Sequence, residues 1–174
     1  TLNLAPTAST TAQMALGDAL AVALLDLRGF REDDFARSHP GGSLGRRLLI
    51  HVRDLMRSGR QLPVVSSKTT FVEMLREMTS KGLGFVAVVG DAEELGIFTD
   101  GDLRRLIERG DDLRGLEAGG VMHPNPRSIS PDVLAAEAAS VMEAHRITSL
   151  LVVDKEGHLV GALNVNDLMR AKVI

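Results

Sequence analysis

A threonine and an aspartate three residues apart, Thr99 and Asp102, could bind the two ends of a phosphorylated sugar. They stand where an apolar strand is expected to end and a charged helix to begin. The backbone amides and the positive dipole end of a helix N-terminus favour an anion, and a hydroxyl there can add a hydrogen bond to phosphate. A carboxylate one turn later can accept hydrogen bonds from two vicinal sugar hydroxyls. Helix capping is the open alternative, with Thr99 or Asp100 as the cap and Asp102 as a first-turn charge.

The same pattern occurs a second time, with Asn164 and Asp167 in the places of Thr99 and Asp102. The two aspartates are 65 positions apart (167 minus 102). A repeat of that period indicates two similar supersecondary units. Because the second copy has an amide where the first has a hydroxyl, we expect the complete phosphate-plus-ribose pair only in the first copy.

Strands are expected to carry each motif to its position. Apolar runs predict strands at 85–89 and 149–153. Each run turns through polar residues into a short strand, at 95–98 and at 159–163, that ends at the motif. Such paired runs are typical of antiparallel hairpins.

A helix is expected before each hairpin. Ser66 precedes the first helix, which ends at Gly82. Ser130 and Pro131 are expected to open the second, as N-cap and first helical residue. Both helices carry apolar side chains at helical spacing, which predicts a face packed on a core: Phe71, Met74, Leu75 and Met78 in the first, and Leu134, Ala138, Val141 and Met142 in the second.

Two copies of Gly-x-apolar-Thr/Asn-x-x-Asp, each closing a strand–helix–strand–strand unit, resemble the tandem CBS (cystathionine-β-synthase) domain pair over about residues 51–174. The resemblance implies an α/β fold with α+β character. It places one CBS domain at 51–112 and the other at 113–174, paired with pseudo-twofold symmetry. It also implies that apolar helical faces are buried against a second pair, so that the chain forms a dimer or tetramer.

The same resemblance implies nucleotide binding in the clefts between the two domains. Thr99 would contact phosphate and Asp102 would contact ribose. Asn164 and Asp167 are the corresponding residues of the second copy, where the family prefers a hydroxyl at position 164.

Residues 1–50 carry a different set of signals. A hydroxyl-rich turn at 4–11 leads into an apolar helix that Ser9 or Thr10 is expected to cap and Gly29 to end. His39 then lies in Ser-His-Pro-Gly-Gly-Ser-Leu-Gly at 38–45. An imidazole held there could act as a general acid or base, with an ordinary loop histidine as the alternative.

Leu-Ala-Pro-Thr-Ala-Ser-Thr-Thr at 4–11, the histidine loop and the repeat together resemble the D-arabinose 5-phosphate isomerase family. That family joins a sugar isomerase (SIS) domain to two CBS domains, which implies that residues 1–50 are the C-terminal end of a SIS domain. Its members interconvert D-ribulose 5-phosphate and D-arabinose 5-phosphate for Kdo and lipopolysaccharide biosynthesis. The family's catalytic histidine falls on His39.

The other catalytic groups of that family, a lysine and acidic residues, would precede Thr1. We therefore expect the chain to be the C-terminal part of an aldose–ketose isomerase and to be inactive alone. No cofactor is implied. The expected partners are a second copy of the chain and a nucleotide or nucleotide-sugar effector, of which CMP-Kdo is the one that the pathway suggests.

Composition argues against several other classes of function. A net charge of −3, a pI of 5.9 and the absence of a basic block argue against nucleic acid. Only 3% of the residues are aromatic, so aliphatic side chains and backbone would have to hold a base. The chain has no cysteine. Its histidines, His51, His123, His145 and His158, show neither the spacing nor the neighbouring ligand groups of a zinc site. We therefore expect solvated surface histidines and no metal.

No apolar run is expected to reach the length of a bilayer span, and the first residues lack the basic region of a signal peptide. A soluble, cytoplasmic protein without a membrane partner is the expectation. Two alternatives to the regulated isomerase stay open: a stand-alone nucleotide-sensing module, and a dimerisation block that binds no ligand.

Overall fold

The computed structural model describes residues 6–31, 34, 48–91 and 94–174. The first element is helix α1, Thr7–Leu27, whose N-cap is Pro6 without a side-chain cap. The expected cap at Ser9 or Thr10 is wrong, because both residues lie inside the helix. Gly29 follows the helix with φ of 62°, in the left-handed region that ends helices. Every residue of α1 is exposed.

The expectation that no apolar run reaches a bilayer span is wrong by length and composition. Helix α1 has 21 residues and a mean hydropathy of 1.2, and among the described residues it is the one helix that could cross a membrane by these two criteria. Core helices of soluble proteins and signal sequences meet the same criteria.

The remaining elements form two similar units with a short helix before each. In chain order they are α2 Val52–Leu55, a 3₁₀ turn Gly59–Gln61, β1 Val64–Ser66, α3 Phe71–Lys81, β2 Phe85–Val89, β3 Leu95–Thr99, α4 Asp100–Arg109, α5 Ala118–Val121, β4 His123–Pro124, β5 Ser128–Ile129, α6 Ala135–His145, β6 Ser149–Val153, β7 Leu159–Asn164 and α7 Val165–Arg170.

Each unit is a strand, a helix and an antiparallel hairpin, as the repeat predicts. In the first unit β1 runs parallel to β2, and β2 pairs with β3 so that Phe85 lies opposite Thr99. In the second unit β5 runs parallel to β6, and β6 pairs with β7 so that Ser149 lies opposite Asn164. The hairpins therefore deliver both motif residues to equivalent strand ends.

One of the two helix starts differs from the sequence prediction. Ser66 precedes α3 as expected, and Thr70 caps this helix through a reciprocal pair of hydrogen bonds with Glu73. Helix α6 begins at Ala135, so the predicted start at Ser130 and Pro131 is wrong. The carbonyl of Pro131 instead accepts a hydrogen bond from the amide of Arg53 in α2. This tertiary pairing holds the chain out of the helix for one more turn.

Each short helix packs on the unit that it does not directly precede. Helix α2 packs on the second unit and α5 packs on the first. Val52 of α2 is fully buried with Leu163 and Leu168 of the second unit. Ala118 of α5 is fully buried with Phe98 of the first unit. The sequence boundary between 51–112 and 113–174 therefore does not separate the two cores in space.

A third buried cluster joins the two units. It combines Leu62, Phe85 and Ala87 of the first with Leu151 and Ala162 of the second. The amide nitrogen of Asn164 also donates a hydrogen bond to the carbonyl of Leu83, at 3.1 Å. The two hairpins thus pack against each other, which brings both motif strand ends to one cleft.

Candidate functional site

The cleft between the units has a volume of about 790 Å³. Its walls are the starts of α4 and α7, the turns before β2 and β6, and the chain around β4. The lining side chains that bear on its chemistry are Thr99, Asp102, Arg105, His123, Arg127 and Arg146.

Thr99 and Asp102 form a reciprocal cap at the start of α4. The Asp102 amide donates to Thr99 Oγ1 at 3.3 Å, while the Thr99 amide and hydroxyl donate to Asp102 Oδ2 at 2.8 and 2.6 Å. Thr99 is thus the cap residue and Asp100 is not. Both residues line the cleft as well. The capping role and a ligand role are therefore compatible at this helix start.

The other carboxylate oxygen of Asp102 faces two basic side chains. Oδ1 accepts a hydrogen bond from Arg105 Nη2 and lies 2.7 Å from His123 Nε2. The residue is only 5% exposed. Burial opposes its ionisation, yet the hydrogen bonds from Thr99, Arg105 and His123 outweigh burial and hold the pKa of Asp102 below its ordinary value. The cleft therefore contains a fixed negative charge at neutral pH.

Two further arginines line the cleft with no partner of their own. The side chains of Arg127 and Arg146 form no hydrogen bond or ion pair with any residue that the structure describes. Arg146 is the C-cap of α6 at φ of 52°, where the first unit has Gly82 at φ of 64°. A left-handed backbone favours glycine, so an arginine there is a conformational cost that suggests a use for its side chain.

The second motif is arranged differently. The guanidinium of Arg57 donates from Nη2 and Nε to Asp167 Oδ1, at 2.7 and 3.2 Å. This hydrogen bond raises the pKa of Arg57 further above physiological pH. Asp167 does not line the cleft. Asn164 does, but its amide is engaged with Leu83 and with the hydroxyl of Ser149.

The sequence-predicted site residues thus fall into three groups. Thr99 and Asp102 face the cleft together with cations, Asn164 faces it while joining the two units, and Asp167 is enclosed by Arg57. His39 lies outside the described residues.

Sequence reasoning missed two residues that touch the motif aspartates. His123 was expected to be a solvated surface histidine, and it is exposed but paired with Asp102. Arg57 attracted no prediction. The repeat contains the signal that could have found both, because Leu55-Met56-Arg57 and Val121-Met122-His123 are corresponding segments of the two copies.

A second set of titratable groups lies away from the cleft. One ligand atom from each of Asp154, Glu156 and His158 lies within 4.8 Å of the others, so the expectation that His158 has no neighbouring ligand groups is wrong. The cluster lies in the exposed turn between β6 and β7. Asp154 accepts backbone hydrogen bonds that close this turn, which explains the grouping without a metal ion.

Comparison with known proteins places both units in one family. The family model for the CBS domain matches residues 52–109 and 118–174. The crystal structure of CBSX2 in complex with AMP is similar to this chain, with a TM-score of 0.58 and 27% identity over 70% of this chain and 95% of that one. The predicted tandem CBS pair is confirmed.

The chain is also similar to enzymes named arabinose 5-phosphate isomerase KdsD. The one from Pseudomonas aeruginosa is 52% identical over 174 residues, which are 99% of this chain and 53% of that protein. The one from Escherichia coli K12 is 48% identical over the same shares. The chain therefore spans about half the length of these curated relatives, and the predicted resemblance to this isomerase family is confirmed.

Proposed function

Since this chain belongs to the CBS domain family, we propose that its cleft binds a nucleotide or nucleotide sugar as the effector of an arabinose 5-phosphate isomerase. The observation that carries the proposal is the combination of one ionised, buried carboxylate, Asp102, with two arginines around one cleft. The arginines, Arg127 and Arg146, have no side-chain partner among the described residues.

The two kinds of group suit the two ends of a phosphorylated ribose. Arginine side chains bind phosphate oxygens with paired hydrogen bonds. The first amides of α4, a helix of ten residues, add the positive end of a helix dipole. Asp102 can accept hydrogen bonds from ribose hydroxyls. A phosphorylated ribose therefore uses both groups, whereas a nucleoside or a free phosphate uses only one.

The bound AMP of CBSX2 supports the ligand class, because that protein has the same pair fold at 27% identity. We propose a single dominant site, centred on Thr99 and Asp102, because the Asp167 carboxylate already accepts hydrogen bonds from Arg57. CMP-Kdo fits the proposed chemistry, since it combines a ribose, a phosphate and the sugar product of the pathway that the relatives' enzyme family serves.

The isomerase itself requires more than this chain. Its relatives are about twice as long, so the proposed aldose–ketose chemistry belongs to the whole protein. In that protein His39 would serve as a general acid or base. The exposed apolar side chains of α1, such as Leu16 and Leu20, would pack on the rest of the SIS domain. The 174-residue chain alone is expected to give no turnover of D-ribulose 5-phosphate.

Isothermal titration tests the proposal. AMP, CMP and CMP-Kdo are titrated into the chain, with adenosine and inorganic phosphate as half-ligands. We expect one saturable site per chain for at least one phosphorylated ribonucleoside, and much weaker binding of the two half-ligands. No saturable heat from any of these compounds would contradict the proposal and favour a dimerisation block without a ligand.

A further inference from the structure

His123 and Arg57 occupy equivalent places in the two units. His123 lies opposite Ile97 across an antiparallel bridge, and Arg57 lies opposite Ala162 in the same way. Ile97 and Ala162 are themselves 65 positions apart (162 minus 97), the offset of the repeat. The two side chains are therefore counterparts in fold position but differ in chemistry.

Both side chains reach the aspartate of a motif. His123 Nε2 lies 2.7 Å from Asp102 Oδ1, and Arg57 Nη2 lies 2.7 Å from Asp167 Oδ1. An arginine stays charged at any pH that a protein experiences, whereas imidazole is the side chain that ordinarily changes charge between about pH 5 and 8. The Arg57 contact is therefore an ion pair at every pH, whereas the His123 contact is an ion pair only when the imidazole is protonated.

Asp102 has no free acceptor position for a sugar. Oδ2 accepts two hydrogen bonds from Thr99 within the helix cap, and Oδ1 is shared by Arg105 and His123. A ribose hydroxyl must therefore replace one of these two side chains at Oδ1. Both can move away, because the His123 side chain is 64% exposed and the Arg105 side chain is 61% exposed.

We propose that His123 controls the access of sugar hydroxyls to Asp102. A ribose hydroxyl displaces neutral His123 from Oδ1 more easily than protonated His123, which forms an ion pair there as Arg57 does with Asp167. This inference rests on the proposed function, and it adds a residue that makes sugar recognition depend on pH.

The other charged groups of the cleft do not share this behaviour. They are Asp100, Asp102 and Arg105 of α4, Arg127 of the chain after β4, and Arg146 at the end of α6. Arginines do not lose their charge near neutral pH, and ordinary carboxylates titrate near pH 4. Between about pH 5.5 and 8, a change in sugar recognition therefore reports His123.

The test compares AMP with 2′,3′-dideoxy-AMP, which lacks both ribose hydroxyls. The ratio of their Kd values measures the hydroxyl contact alone, since the phosphate of each ligand and its attraction to the arginines are common to both. In the wild-type chain this ratio is expected to be about tenfold at pH 8, for a hydrogen bond to a charged group. At about pH 5.5 it should approach one.

Variants of His123 separate the gate from a merely structural role. His123→Gln cannot gain a charge, so its ratio should stay near the wild-type pH 8 value at both pH values. His123→Arg copies Arg57, and its ratio should be near one at both. His145→Gln removes a histidine that does not line the cleft and should keep the wild-type pH profile. Thermal unfolding of each variant checks that it is folded.

The outcomes distinguish this inference from the proposed function. A wild-type ratio that is large and equal at both pH values would overturn the gate while leaving nucleotide binding in place. A pH dependence that persists in His123→Gln would also overturn it, and this comparison stands even if His123→Arg fails to fold. If none of AMP, CMP and CMP-Kdo binds at either pH, both the gate and the proposed function are contradicted.

Discussion

Asp102 has two roles that its hydrogen bonds make compatible. Its Oδ2 closes the cap with Thr99, and its Oδ1 faces the cleft among cations. The residue types and the three-residue spacing predicted a helix start with Thr99 as a candidate cap and Asp102 in the first turn, but not the reciprocal cap. The contact with His123 could not be predicted from spacing, because it joins side chains 21 positions apart through strand pairing. Likewise the enclosure of Asp167 by Arg57 spans 110 positions.

Acid should weaken the fold through Asp102. Its pKa in the folded chain lies below the ordinary value, because hydrogen bonds to the ionised form outweigh burial. The carboxylate therefore stabilises the fold fully above about pH 4, and this stabilisation is lost as the pH falls through the lower, folded-state pKa. In Asp102→Asn the group cannot ionise.

Urea unfolding measures this difference. The free energy of unfolding of the wild-type chain should exceed that of Asp102→Asn at pH 6, and the gap should narrow as the pH is lowered toward 3. A gap that stays constant or widens over this range would show that the ionised form of Asp102 does not stabilise the fold.

At the scale of elements, the repeat and its hairpins were predictable and the helix starts were less so. Alternating turns and apolar runs gave β2, β3, β6 and β7 to within one residue. The predicted start of α6 was wrong because the carbonyl of Pro131 accepts a tertiary hydrogen bond from the amide of Arg53, which competes with the local preference of Ser-Pro for a helix start. The packing of α2 and α5 on opposite units depends on tertiary contacts that no local pattern reports.

The position of Arg57 depends on the close approach of the backbone of Arg57 and the side chain of Met56 to Gly161. A β carbon there would lie 3.0 Å from the Arg57 carbonyl oxygen and 2.7 Å from Met56 Sδ. That carbonyl cannot easily retreat, because it accepts a hydrogen bond from Ala162. Gly161→Ala should therefore lower the free energy of unfolding by about 1–3 kcal/mol, the usual range for overpacking.

Gly120→Ala is the matched control for this substitution, since nothing lies within 4 Å of its added β carbon and the residue is helical. It should leave stability equal or raise it by about 1 kcal/mol or less. Urea unfolding of the two variants gives the comparison. Equal stability of Gly161→Ala and the wild type would mean that β7 and the segment after α2 can move apart without lowering the free energy of unfolding.

At the scale of the whole molecule, two units share one cleft and leave apolar side chains outside. Val72 of α3, Ile107 of α4 and Met169 of α7 are each more than half exposed. Apolar side chains on outer helices favour burial against another copy. We expect at least a dimer in sedimentation at high micromolar concentration. A monomer under these conditions would count against self-association through this part of the chain.

The central claim is that a phosphorylated ribose binds in the cleft at Asp102 and does not bind at Asp167, which lies outside the cleft. Isothermal titration of AMP into Asp102→Asn and Asp167→Asn tests it most directly, with Asn chosen to keep the side-chain shape. Losing a hydrogen bond to a charged group costs roughly 1.5–3 kcal/mol, so Asp102→Asn should bind AMP about tenfold or more weakly. Asp167→Asn should change the Kd by less than about twofold, because Arg57 and not a ligand faces that carboxylate. Equal weakening by the two substitutions, or unchanged binding in Asp102→Asn, would contradict the account.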